Sequence, residues 1–261
     1  MVGALLAYPF VLAAARPAGF FAILLIGLAA LLAIDVAFAE LGYDALNQDM
    51  FSSDTGRLYQ LAGSLASSLV SGAAMAFALQ HLGWRTRDPG LGDGVALCVL
   101  GIWWAVAVVL PFLVVGALVG GGLAYFAAED LRVYVLAAVG VVLVPALLYV
   151  TLRLFFAGPQ TLVSGRVQLY RTWPSTRGRF WAVLGCALVL LLAAFALAAG
   201  FSVLTVILPQ PDWLSSWADA LNPINALHLL VMELTLFLPS YYFSVGQVFL
   251  FDRLTNREVA I

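Results

Sequence analysis

FWAVLGCALVLLLAAFALAAGFSVLTVIL, residues 180–208, decides the fold. It carries no charge, and as a helix rising about 1.5 Å per residue it is long enough to cross a hydrocarbon core of about 30 Å. Comparable runs stand at 18–39, 58–81, 95–127, 133–157 and 224–250, in a chain that is 64% hydrophobic and 10% charged. These runs are continuously apolar. A barrel strand would alternate, so internal satisfaction of the backbone selects helices. The sequence therefore predicts an all-α, polytopic membrane bundle of six spans, with residues 1–261 forming a single integral membrane domain.

Immediately before the decisive run lies TWPSTRGRFW, residues 172–181, which gathers arginine and tryptophan in a chain poor in charge. All 12 basic residues are arginine, and they fall in alternate loops. One set holds Arg16, Arg85, Arg87, Arg153, Arg166, Arg171, Arg177, Arg179, Arg253 and Arg257. The other holds Arg57 and Arg132 beside Glu40, Asp44, Asp49, Asp54, Glu129, Asp130, Asp212 and Asp219. The positive-inside rule then puts both termini in the cytoplasm, consistent with an even number of spans. The expected location is a bacterial inner membrane.

MVGALLAYPFVLAAA, ended by Arg16-Pro17, is too short to cross and lacks the charged start of a signal peptide, so residues 1–16 are expected to form an interfacial helix. The run 95–127 is too long for one vertical crossing. Pro111 is expected to kink it, with DGVALCVLGIWW lying along the interface. After the fourth span the chain is expected to leave the membrane at Gly158-Pro159 and return at Phe180-Trp181. Val163, Val167 and Tyr170 recur there opposite Arg166, as in an interfacial amphipathic helix. Arg153, Arg166, Arg171, Arg177 and Arg179, with Trp173 and Trp181 as anchors, make the expected headgroup collar.

Small residues four apart mark close helix contacts in lipid. Gly63, Ser67, Ser71 and Ser64, Ser68, Gly72 in the second span, Gly116 and Gly120 in the third, and Ala194, Ala198 and Gly200 in the fifth suggest that these three spans are central. Pro145 and Pro239 are expected as static bends. Cys98 and Cys186 lie in apolar runs and are expected as reduced thiols.

Ionisable groups within spans are costly and so are functional candidates. There are three: Asp35, His228 and Glu233. Counted from the ends of the apolar runs, Glu233 lies deepest and Asp35 close to the outer end, with no second mid-membrane charge beside Glu233. His228 is about 140° around the helix from it. His81 and His228 fall near opposite surfaces, so no metal or haem site is expected. No catalytic constellation, phosphate loop, cofactor motif or nucleic-acid patch stands out, and the expectation is a protein that is not an enzyme.

The segment 153–185 and the end FLFDRLTNREV, residues 249–259, resemble the membrane domain that precedes, or stands apart from, glycerophosphodiester phosphodiesterase domains in bacteria, and related six-span proteins. Arg153, Pro159, Trp173, Thr176, Gly178, Phe180 and Trp181 match the family's re-entry motif, and Asp252, Arg253, Arg257 and Glu258 its closing motif. Thr172 stands where serine is usual, and Pro174 and Ser175 depart from the pattern. The resemblance implies a six-span architecture rather than an activity, and the phosphodiesterase barrel is missing here.

Two functions remain open at this stage. One is a non-catalytic protein that binds anionic lipid or serves a membrane partner as an accessory subunit or homo-oligomer. The other is a transporter or channel for a small or amphipathic solute that uses Glu233.

Overall fold

A computed structural model describes residues 2–46 and 53–255; Asp49, Arg257 and Glu258 lie outside them. The described residues are predominantly helical, without strands, and six helical stretches are long and apolar enough to cross a membrane. The chain is thus an all-α polytopic membrane protein.

Local chemistry sets the helix boundaries. Helix α1 (Val2–Ala15) ends at Arg16, and Pro17, whose fixed φ suits a first turn, opens α2 (Pro17–Glu40). Ser53 caps α3 (Asp54–His81), its hydroxyl accepting the Gly56 N–H at 3.0 Å. At the start of α4 (Leu91–Trp104) the Asp93 carboxylate takes the Gly90 N–H at 2.9 Å and Arg85 Nη1 at 2.9 Å, both side chains being nearly buried.

The long third span contains a π-helical turn, Ala105–Val109, in which the Leu110 N–H reaches back five residues to the Ala105 carbonyl. Pro111 explains it: its ring lacks an N–H and would strike the carbonyl four residues back, so the preceding turn widens. The chain continues as α5 (Leu110–Phe126) and returns as α6 (Arg132–Arg153).

Gly158 and Pro159 are buried within α7 (Ala157–Ser164). One expectation is corrected here. The helix expected to run on to Tyr170 stops at Gly165, whose φ of 67° is the left-handed end typical of glycine. Beyond it, short 3₁₀ turns at Tyr170–Thr172 and Pro174–Thr176 lead to α8 (Phe180–Ile207). A short α9 (Trp217–Ala220) precedes the 33-residue α10 (Pro223–Thr255).

The centre of the bundle also differs from expectation. Half of the most apolar stretch of α10 is buried and 44% of that of α3, against 11% for the third span and 6% for the fourth. Spans six and two are therefore central, not two, three and five. Tyr241, Tyr242, Val245, Val248 and Phe251 of α10 join Ala74 and Phe77 of α3, Leu190 of α8 and Leu5 and Leu12 of α1 in one core. Gly246 lets Leu190 of α8 approach α10. Tyr242 donates to the Leu6 carbonyl of α1 at 2.9 Å, docking the N-terminal helix along α10. Gly116 and Gly120 serve only the outlying α5–α6 hairpin, facing Leu143 and Leu136.

The arginine-rich ends share one face. Trp84 Nε1 donates to Asp252 at 2.9 Å and Arg179 Nη1 to the Leu254 carbonyl at 2.6 Å, joining the loops after α3 and before α8 to the end of α10. On the other face the Leu214 N–H donates to Asp44 at 2.9 Å and the Asp212 N–H to Asn225 at 2.8 Å.

Helices α3 and α4 cross with backbones touching: a β-carbon on Gly72 would lie 2.5 Å from the Gly94 α-carbon. Gly72→Val must force the helices apart and is expected to cost about 1–3 kcal/mol as overpacking. Gly63→Ala, where nothing lies within 4 Å, is expected to leave thermal unfolding in detergent unchanged or shift it upward.

Candidate functional site

Two polar sites stand out, one near each face. In the half away from the arginines, α2 contributes Asp35, α10 Glu233 and α3 Tyr59. Asp35 is 1% exposed and Glu233 2%. Tyr59 donates its hydroxyl to Asp35 Oδ1 at 2.8 Å, and the Glu233 carboxyl lies beside that of Asp35. Asp35 Oδ2 and Glu233 Oε2 are buried and receive no N–H or hydroxyl donor. The Tyr59 ring is held between Phe38 and Tyr43, with centroids 5.6 and 5.0 Å away.

This corrects the expected isolation of Glu233. Asp35 is five residues from the end of α2, about 8 Å of helix, and Glu233 is ten from the start of α10, about 15 Å. They meet because α10 begins well beyond the end of α2. That projecting turn is packed under the 208–222 loop, where Val36, Ala39, Leu214, Ala220 and Leu229 form a small apolar cluster over the site. His228 does not join the carboxyls; its Nε2 hydrogen-bonds the Pro209 carbonyl at 2.6 Å and holds the same loop. In that loop Asp219 accepts the Ser215 hydroxyl at 2.7 Å and its N–H at 3.0 Å, bonds that hold its carboxyl below the usual range.

On the arginine face the expected collar divides into two kinds. Arg153 stacks on Tyr149 and Trp173, its guanidinium carbon 5.1 and 5.6 Å from their ring centroids, and donates Nη2 to the Tyr149 hydroxyl at 2.8 Å. Its backbone carbonyl accepts the Thr172 and Thr176 hydroxyls, so the re-entry turns wrap this one residue. Arg153 Nη1 is buried with no hydrogen-bond partner. Arg179 is committed to α10. Arg166, Arg171 and Arg177 are exposed, and among the described residues their side chains form no ion pair. Trp181 is 79% exposed, whereas Trp173 lies against Arg153.

Two cavities accompany these sites. A trough of about 740 Å³ between α2 and α3 is lined by apolar residues such as Ile23, Ile26 and Val70, with Arg16, Gln80 and Asp88 at its arginine-face end. A second, of about 400 Å³, lies among α3, α4, α7 and α10 and is lined in part by Ser67, Ser71, Trp104, Thr151 and Gln247. Among the described residues no group of three or more His, Cys, Asp or Glu side chains could hold a metal ion. The buried pair Arg85–Asp93 and the roles of Tyr59 and Tyr149 were not legible from spacing, since each depends on a partner in another helix or loop, or on a neighbouring ring.

Comparison of the chain with protein-family models, curated proteins and solved structures finds no match in any of the three. The resemblance of 153–185 and 249–259 to the phosphodiesterase-associated membrane domain rests on its motif residues alone.

Tyr59→Phe keeps the stacked ring but leaves Asp35 Oδ1 buried without its donor. It is expected to destabilise the protein by about 1–3 kcal/mol, read from denaturant unfolding in detergent against wild type.

Proposed function

We propose that the chain is a non-catalytic integral membrane protein that holds anionic lipid at its arginine-rich face, with both termini on the cytoplasmic side of a bacterial inner membrane. The observation that carries this reading is Arg153. A guanidinium packed against two aromatic rings, with one nitrogen buried and unpaired, is a costly arrangement unless an anion completes it. A lipid phosphate at the membrane surface supplies that anion, and the exposed Arg166, Arg171 and Arg177 add attraction of about 1 kcal/mol each near an anionic leaflet. The trough ending at Arg16 suits an acyl chain on the same face. A lipid of this kind also provides a seat for a membrane partner or a second copy.

Native mass spectra test it. Wild type is expected to retain anionic lipid, and Arg171→Ala with Arg177→Ala to lose about 2 kcal/mol of affinity, roughly thirtyfold. Adding Arg153→Lys, which keeps the charge but removes the planar fork, deepens the loss. Equal retention by all three proteins refutes the reading.

The buried carboxyl pair favours a second reading, transport of a small or amphipathic solute. If transport is proton-coupled, dye-loaded proteoliposomes under an imposed potential take up protons faster with wild type than with Glu233→Gln. Identical uptake removes the carboxylate from any such mechanism.

A further inference from the structure

We propose that Asp35 and Glu233 form a proton-binding site, in which a single proton bridges a carboxyl from α2 and a carboxyl from α10 while Tyr59 of α3 fixes its orientation. The inference stands apart from both lipid binding and transport, because it concerns what occupies the site rather than what the protein moves or holds.

Geometry carries it. Two carboxyls from helices far apart in sequence are neighbours in a region closed above by the Leu214–Leu229 cluster and flanked below on α10 by Phe237, and both are almost wholly buried. Two adjacent carboxylates in such surroundings repel and cannot both remain ionised without a countercharge. None is present: among the described residues neither carboxyl takes part in an ion pair. The groups around the pair are all accounted for. Tyr59 already donates to Asp35 Oδ1, Tyr43 stacks on the Tyr59 ring, His228 on α10 is turned to the Pro209 carbonyl, and Asp44 accepts the Leu46 and Leu214 N–H groups. The wholly buried carboxyl oxygens left without a donor are Asp35 Oδ2 and Glu233 Oε2. A proton on either carboxyl converts it into the missing donor.

The oxygen count separates a proton from a metal cation. Hard cations take about six or more oxygen ligands in an open shell, whereas this site offers two carboxyls and one hydroxyl that is already donating.

Infrared spectroscopy of the protein in bilayers at pH 7 tests the assignment. A protonated-carboxyl C=O band is expected, absent from Glu233→Gln and from Asp35→Asn, and unchanged when sodium replaces a large organic cation in the buffer. Tyr59→Phe retains both carboxyls and is expected to shift the band, because Asp35 loses its hydroxyl donor; this arm remains readable if a carboxyl variant fails to fold. No such band in wild type, a band that survives both carboxyl substitutions, one that sodium abolishes, or one that Tyr59→Phe leaves unshifted overturns the proposal.

Discussion

The interior of a bilayer offers no water to a polar group, so the backbone donors and acceptors of the spanning segments must find their partners within the protein. Most of the structure follows from that constraint. It makes the spans helical and widens the turn before Pro111 rather than leaving the helix broken. Ser64 and Ser68 turn their hydroxyls back to the carbonyls of Gln60 and Ser64, one turn earlier. The same constraint bears on Asp35 and Glu233, which lie together in the interior with Tyr59 donating to Asp35.

Where polar groups are concentrated, helices become central. Helix α10 carries Glu233, Ser240, Tyr241, Tyr242, Ser244 and Gln247, and its partners come from α1, α2, α3 and the Phe155 carbonyl before α7. The more uniformly apolar α5 and the first part of α6 pack chiefly on each other at the edge, while the end of α6 is tied to the 170–176 turns through Arg153. Hydrophobicity thus sets which segments enter the membrane, and sparse polarity sets which of them the others surround.

This explains how much was legible in advance. The six spans and the re-entry at Phe180 follow from runs of apolar residues, a signal that is local. The centre was misplaced because small-residue spacing shows that a close contact exists without naming the partner: Gly72 meets Gly94, but Gly63 and Gly200 meet nothing. The tyrosines, serine and glutamine of α10 were the better guide to burial. The ends of the apolar runs place Asp35 and Glu233 at different depths, whereas α10 extends past the end of α2 beneath a loop that hydropathy cannot see. The roles of Arg153 and Arg179 differ for a similar reason, as charge count does not distinguish a guanidinium wrapped by turns from one committed to a helix end.

Helix α10 is held unevenly along its length. From Pro239 to its end it is tied by Tyr241, Tyr242, Gln247, Asp252 and the Leu254 carbonyl to four other parts of the chain. Before Pro239, towards the opposite face, its span is held mainly by apolar packing, the Glu233 carboxyl and the loop contacts of Asn225 and His228. Mechanically it is a rod clamped at one end, with its weakest point at the proline. A change of charge at the carboxyls therefore bears first on the half of α10 before Pro239, whereas the arginine face is held by hydrogen bonds of the half after it.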